Sequence, residues 1–259
     1  MNAQAPLLEL RAVEKHFGGV TALDAVDFNV APAEVVGLLG DNGAGKSTLI
    51  KVVSGALRPD AGTMRFGGTE VKVQGPADAR ALGIETVYQN LALADNLDVA
   101  SNIFLGREPL VWDAPFMPRF VDRGRMRREA TQLLERLGIH LASVRTPVRD
   151  LSGGQRQAVA ISRAMLTTPR LVLLDEPTAA LAVKEVDRVL GLVDQLRTQG
   201  VAVILISHTL QHVLQVADRV VVLRRGRPVL DAAVPDTTIE SIVSAIVGGN
   251  VDPKEAVRA

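Results

Sequence analysis

The stretch Gly40-Asp41-Asn42-Gly43-Ala44-Gly45-Lys46-Ser47 decides how the rest of the chain is read. It fits the G-x-x-x-x-G-K-[ST] pattern of a phosphate-wrapping loop. The apolar run Val35-Val36-Gly37-Leu38-Leu39 comes directly before it and predicts a buried strand. After it, Leu49, Ile50, Val53 and Leu57 share one helical stripe, which predicts a helix over Thr48–Leu57. The order strand, glycine loop, helix gives the pattern its meaning. Glycines let several backbone N–H groups turn toward one anion, and the unpaired N–H groups of the new helix face the same way. The contacts expected for a nucleotide are therefore Gly40, Asn42, Gly43, Gly45, Lys46, Ser47 and Thr48. Lys46 would reach the β- and γ-phosphates, and the Ser47 hydroxyl would join a Mg²⁺ shell.

Composition sets outer bounds. The 259 residues are 47% apolar and 22% charged, enough to bury a substantial core. Twenty-nine basic and 29 acidic side chains cancel, which argues against a surface dominated by nucleic-acid binding. Without cysteine there is neither a disulfide nor a thiolate metal site. No run of 18 apolar residues is present, so no membrane-spanning helix is expected. Met1–Glu9 has neither a basic start nor a long apolar run, and does not read as a secretory signal.

Along the chain, Leu7–Val13 and Asp24–Val30 read as strands separated by a turn at Phe17-Gly18-Gly19. Thr63–Val73 reads as short strands around Gly67-Gly68, giving a small antiparallel layer beside the main sheet. Pro76–Leu82 is a short helix, and Ile84–Tyr88 a strand ending at Gln89. From 91 to 159 the chain predicts a mostly helical insertion. It holds a helix-leaning stretch (Leu93, Leu97, Val99, Ile103, Leu105) and a proline-bearing loop with Trp112 and Phe116. A helix capped by Asp122 then runs from Arg123 to Leu137. Helices follow over Gln155–Leu166, Lys184–Gln199, Leu210–Ala217 and Ile239–Val247. They alternate with short apolar strands at Leu171–Leu174, Val201–Ile206 and Val220–Leu223, which predicts a largely parallel sheet covered by helices.

Asp175 stands at the carboxyl end of a buried strand, the edge where open α/β sheets bind ligands. A carboxylate there suits Mg²⁺. Glu176, next in sequence, could take a proton from water or orient it. Gln89 and His208 also follow apolar strands, and strand ends on one edge converge in space.

Taken together, these motifs resemble the ATPase subunit of ABC transporters, over Leu7 to Gly248. Leu151-Ser152-Gly153-Gly154-Gln155 is similar to that family's signature, and Val172–Thr178 to its metal strand and catalytic glutamate. His208 and Gln89 resemble its switch histidine and coupling glutamine, and Phe17 falls where the family sets an aromatic against adenine. The resemblance implies an α/β P-loop NTPase fold: a RecA-like, mostly parallel core sheet, a small antiparallel β layer and a helical subdomain. One domain is expected over 1–259, with 7–90 and 160–248 as the nucleotide core and 91–159 carrying the signature.

As ligands the resemblance implies ATP and Mg²⁺, the metal held by Ser47, Gln89 and Asp175. As catalytic residues it implies Glu176, His208 and Gln89. The partners implied are a second, identical ATPase subunit, an integral membrane permease and, indirectly, an external sugar-binding protein, with no nucleic acid. The site implied is the cytoplasmic face of the cell membrane. Two subunits would meet head to tail, with Ser152, Gly153, Gly154 and Gln155 of one closing on the ATP of the other. One departure stands out: Ala182 replaces the usual aspartate after Pro177-Thr178-Ala179-Ala180-Leu181, which puts cross-site coupling in question. The stretches Val87–Leu97 and Asn102–Glu108 resemble the ribose-, xylose- and fructose-type importers. A soluble ATPase of this fold acting on nucleic acid or the ribosome is the alternative, and the balanced charge counts against it.

Overall fold

Alternation of side chains across β-strands explains how one sheet serves two cores. The computed structural model describes residues 5–111 and 120–248. It begins with β1 (Leu8–Phe17) and β2 (Val20–Val30), then β3 (Val35–Leu39) and α1 (Lys46–Val53). There follow β4 (Ala61–Phe66), β5 (Thr69–Val71), α2 (Pro76–Ala81), β6 (Ile84–Val87), α3 (Val99–Ile103), α4 (Arg123–Arg136) and α5 (Gly153–Met165). The chain continues through β7 (Leu171–Asp175), α6 (Val183–Thr198), β8 (Ala202–Ile206), α7 (Leu210–Val216), β9 (Arg219–Arg224), β10 (Arg227–Ala233) and α8 (Ile239–Val247).

Two sheets form. An antiparallel one has the order β2-β1-β4-β5. The other has the order β10-β9-β3-β8-β7-β6, parallel throughout except for the β9–β10 hairpin. In β7, Leu171 and Leu173 point into a core shared with the antiparallel sheet and α1. Val172 and Leu174 point into a second core shared with α3, α4, α5 and α6. β8 divides in the same way, with Ala202, Ile204 and Ile206 on one side and Val203 and Leu205 on the other. An unbroken apolar run therefore fits a strand covered on both faces.

The order β3-β8-β7-β6 matters most for function. All four strands are parallel, so the segments that follow them emerge along one edge. These segments are the glycine loop after β3, Ser207-His208 after β8, Asp175-Glu176 at the end of β7 and Gln89 after β6.

Three local expectations are corrected. α1 starts two residues earlier than its apolar stripe suggested and stops at Val53. Gly55 ends it, at φ 73, where an added Cβ would lie 2.5 Å from the Gly75 carbonyl oxygen. Leu57 still packs on the core, but from beyond the helix. Phe17 closes β1 rather than sitting in the turn, and the turn itself is Gly18-Gly19. In the stretch 91–105 only Val99–Ile103 is helical. The buried Asn102 side chain accepts from Ala94 N and donates to the Ala94, Leu97 and Asp98 carbonyls. Loop backbone that a longer helix would have paired is satisfied by this one amide.

By contrast, α4 forms as its sequence implies. Asp122 Oδ1 accepts from Arg125 N at 2.8 Å, and Met126, Ala130, Leu133 and Leu134 make the buried stripe. Trp112 and Phe116 lie outside the described residues.

Candidate active site

The phosphate loop is shaped by glycines that nothing else could replace. Gly40 has φ +143, and a Cβ there would sit 2.2 Å from the Leu223 carbonyl oxygen. Gly45 has φ +109, and a Cβ would sit 2.6 Å from the Ala22 carbonyl oxygen. Both positions combine left-handed backbone with a backbone neighbour that cannot yield. Gly45 is the N-cap of α1 and brings no side chain to its N–H groups. Lys46 is buried, and its ammonium donates to the Gly40 and Asp41 carbonyls at 2.7 and 2.9 Å. Burial pulls that ammonium below its ordinary value, opposed by Glu176, Asp41 and Asp175. Ser47 is exposed and Thr48 half-buried beside it, while Asn42 and Gly43 are exposed on the loop.

Ala22, against Gly45, belongs to the same β1–β2 hairpin whose tip carries Phe17. That ring is 49% exposed, with the Lys15 ammonium 5.8 Å from its centroid. An exposed aromatic beside a phosphate loop can stack on a base.

Asp175 and Glu176 follow one another but are prepared differently. Burial pushes the Asp175 carboxyl up, Glu176 adds to this, and Lys46, Lys51 and His208 oppose it. An oxygen ligand set of Ser47, Gln89 and Asp175 fits a hard cation, and such a cation would offset the cost of burying the Asp175 charge. Glu176 has φ 51, a left-handed conformation rarely taken by a residue with a side chain. Its N–H is anchored to the Ile206 carbonyl on β8 at 2.9 Å. Its carboxylate is held from two sides. Gln89 Nε2 donates to Oε2 at 3.2 Å, and His208 Nε2 lies 2.5 Å from Oε1. The convergence expected of Gln89, Glu176 and His208 is therefore realised on one carboxylate. Strained backbone held this firmly fixes where the carboxylate points.

The signature stretch lies at the N-terminus of α5. Ser152 is the N-cap: its Oγ accepts from Gln155 N at 3.4 Å, while Gln155 Oε1 accepts from Ser152 N at 3.0 Å. Gly153 and Gly154 pack under α6. A Cβ at Gly153 would lie 2.9 Å from Leu181 Cδ2, and one at Gly154 would lie 2.8 Å from Glu185 Cβ.

The family described as ABC transporter matches residues 23–179. The chain belongs to the ABC transporter family. It is 44% identical to the fructose import ATP-binding protein FrcA of Rhizobium meliloti, over 99% of this chain and 100% of that protein. It is 46% identical to the ribose import ATP-binding protein RbsA 1 of Rubrobacter xylanophilus, over 95% of this chain but only 48% of that longer protein. A crystal structure of a nucleotide-free ATP-binding cassette from an ABC transporter superposes with TM-score 0.79, at 27% identity and 98% coverage of each chain. The chain is thus an ATP-binding, ATP-hydrolysing subunit of the ABC type, built on the P-loop fold its motifs implied. Among the described residues no helix is long and apolar enough to cross a membrane.

Sequence reading missed three groups near this site. Arg163 of the signature helix donates to the Leu91 and Ala92 carbonyls at 2.7 and 2.9 Å, and so grips the segment that follows Gln89. His212 Nδ1 lies 3.1 Å from the hydroxyl of the buried Thr178. Glu185, in the first turn of α6, touches the signature. Each depends on residues distant in the chain. Only the acid in a helix's first turn was visible, as an ordinary N-terminal preference.

Proposed function

We propose that this chain powers uptake of a monosaccharide, working as a head-to-tail pair beneath a membrane permease on the cytoplasmic face. The observation that carries the hydrolytic half is the Glu176 carboxylate, gripped by Gln89 and His208 on the sheet edge where the glycine loop opens. The sugar-import half rests on likeness to proteins named for fructose and ribose import.

In this reading, Lys46 and the N–H groups from Gly43 to Thr48 bind the β- and γ-phosphates, with Gly40 and Asn42 shaping the loop and Phe17 against the adenine. Mg²⁺, held by Ser47, Gln89 and Asp175, would neutralise charge on the phosphate oxygens. Glu176 orients the attacking water and takes its proton as the oxygen bonds to the γ-phosphorus and ADP leaves. His208 fixes the carboxylate and senses the phosphate. Ser152, Gly153, Gly154 and Gln155 of the second subunit close the site. Two anion-binding ends in one chain then each have a use, because two-fold pairing places one against the other.

The permease is expected in the groove formed by residues 91–108. Asp95 is the exposed charge there, its side chain 64% exposed and 3.3 Å from Arg156 of α5. Arg107 does not share that role. It is turned inward onto the buried Glu85 at 2.8 Å.

The test is reconstitution in proteoliposomes with a permease and a sugar-binding protein. Adding the cognate sugar should raise ATP hydrolysis, and Glu176→Gln should remove hydrolysis while ATP still binds. Hydrolysis indifferent to every monosaccharide would sink the import reading. Hydrolysis surviving in Glu176→Gln would sink the assignment of the base.

A further inference from the structure

The strand that carries Phe17 runs past its neighbour. Pairing of β1 with β4 ends at Glu14 opposite Ala61, so residues 15–17 have β2 on one side and no strand on the other. Asp60, the residue before β4, takes that open side. Its N–H donates to the Glu14 carbonyl at 2.8 Å. Its carboxylate is divided between the next two residues: Oδ1 accepts from the Lys15 ammonium and Oδ2 from His16 N, each at 2.7 Å. Lys15 and Phe17 stand two apart on one strand and so share a face. The ammonium lies over the Phe17 ring, 5.8 Å from its centroid. The Lys15 side chain is only 15% exposed, so the cation is covered while the ring it faces stays open. On the other strand, Ala22 has no partner in the register, and its carbonyl abuts Gly45. The hairpin is thus fixed to the phosphate loop through β2 and to Asp60 through β1.

We propose that the Asp60–Lys15 pair positions the Phe17 ring for the base of the nucleotide. This rests on the reading of Phe17 against adenine and names what holds the ring there. An aromatic ring has two faces, each attractive to a cation. With an anchored ammonium over one, a base can stack only on the other. An exposed phenylalanine has several rotamers open to it, and holding one before the nucleotide arrives removes an ordering cost from binding. Asp60 does for Lys15 what Lys15 does for the ring, because a lysine free on its four-carbon stem has many rotamers of its own. Lys15 and Asp60 are therefore positioning residues that act through Phe17.

Calorimetric titration with ADP and with inorganic pyrophosphate tests this, since pyrophosphate has the phosphates and no base, and neither ligand is hydrolysed at the γ-position. Lys15→Met keeps the length of the side chain and removes the charge. Its Kd for ADP should rise about twofold or more, the scale of an exposed cation–π contact, and no further than in Phe17→Ala. Its Kd for pyrophosphate should not move, which a general loosening of the hairpin against Gly45 would not predict. Lys15→Arg keeps a cation and should bind ADP nearly as the unaltered chain does. Asp60→Asn leaves the ammonium present but unanchored, and should weaken ADP in the same direction. In a Phe17→Ala background, Lys15→Met should add nothing. If Lys15→Met weakens ADP and pyrophosphate alike, the charge acts on the phosphates or on the hairpin as a whole, and the positioning role is overturned. Unchanged ADP affinity in Lys15→Met overturns it too, as does an equal loss with and without the Phe17 ring. If Phe17→Ala itself leaves ADP binding unchanged, the adenine reading falls and the positioning role falls with it.

Discussion

The N-termini of α1 and α5 are built from similar parts and left in opposite states. α1 starts behind Gly45, which has φ +109 and no capping oxygen, and its N–H groups open toward the loop with the buried Lys46 among them. α5 starts behind Ser152, which is locked to Gln155 in a reciprocal cap, and its Gly153 and Gly154 pack under α6. The first end is shaped to take a polyphosphate by itself: the backbone is already turned and a cation is in place. The second end already has one of its donors, the Gln155 N–H, taken by its own Ser152, and it holds no lysine among its first residues. One chain thus carries one ready half-site and one conditional half-site. On the head-to-tail reading proposed above, ATP can bind a lone subunit without committing it to hydrolysis, since the other half-site would come from a second copy.

The sharpest way to break this contrast is at the ready half. Lys46→Ala should weaken both ADP and ATP at least about tenfold, because a charge-assisted contact to polyphosphate is lost. Calorimetric titration measures it, and equal affinity in the variant would end the assignment of this loop. The smallest effect should come from Phe17→Ala. Base stacking is worth about 1–3 kcal/mol in single-stranded nucleic-acid sites, an upper guide for one exposed ring. KM for ATP should rise a few-fold with kcat nearly unchanged, since stacking binds ground and transition states alike. Steady-state kinetics with an unchanged KM would place the adenine elsewhere.

The ready half was legible in the sequence and the conditional half only partly so. β3 and the glycine loop are consecutive residues, and their chemistry is local. The Asp122 cap of α4 and the bounds of α8 were equally local and came out as read. The meeting of Gln89, Glu176 and His208 could be anticipated, because parallel strands deliver their ends to one edge. That both outer residues would grip the Glu176 carboxylate could not, since it depends on side-chain directions. Glu185 shows the limit most clearly. In sequence it is an acid in a first turn, unremarkable on its own. Gly153 and Gly154, which it packs against, lie on another helix, and only the packing of α5 against α6 brings them together. Arg107 lies in the stretch Asn102–Glu108, and Glu85 on β6 turns it inward, a pairing that no local pattern announces.

In the head-to-tail pair proposed above, the phosphate loop of one subunit and the signature end of another make one site. The chain contains no cysteine, so two introduced thiols can report on it without background. One batch of Glu176→Gln protein carries Asn42→Cys in the phosphate loop, and a second carries Ser152→Cys at the signature. The batches are mixed and treated with a short thiol-bridging reagent. A crosslinked pair containing one of each variant should form with ATP and be absent with ADP. If that mixed pair never forms with ATP, or forms equally with ADP, the two ends do not meet across a nucleotide.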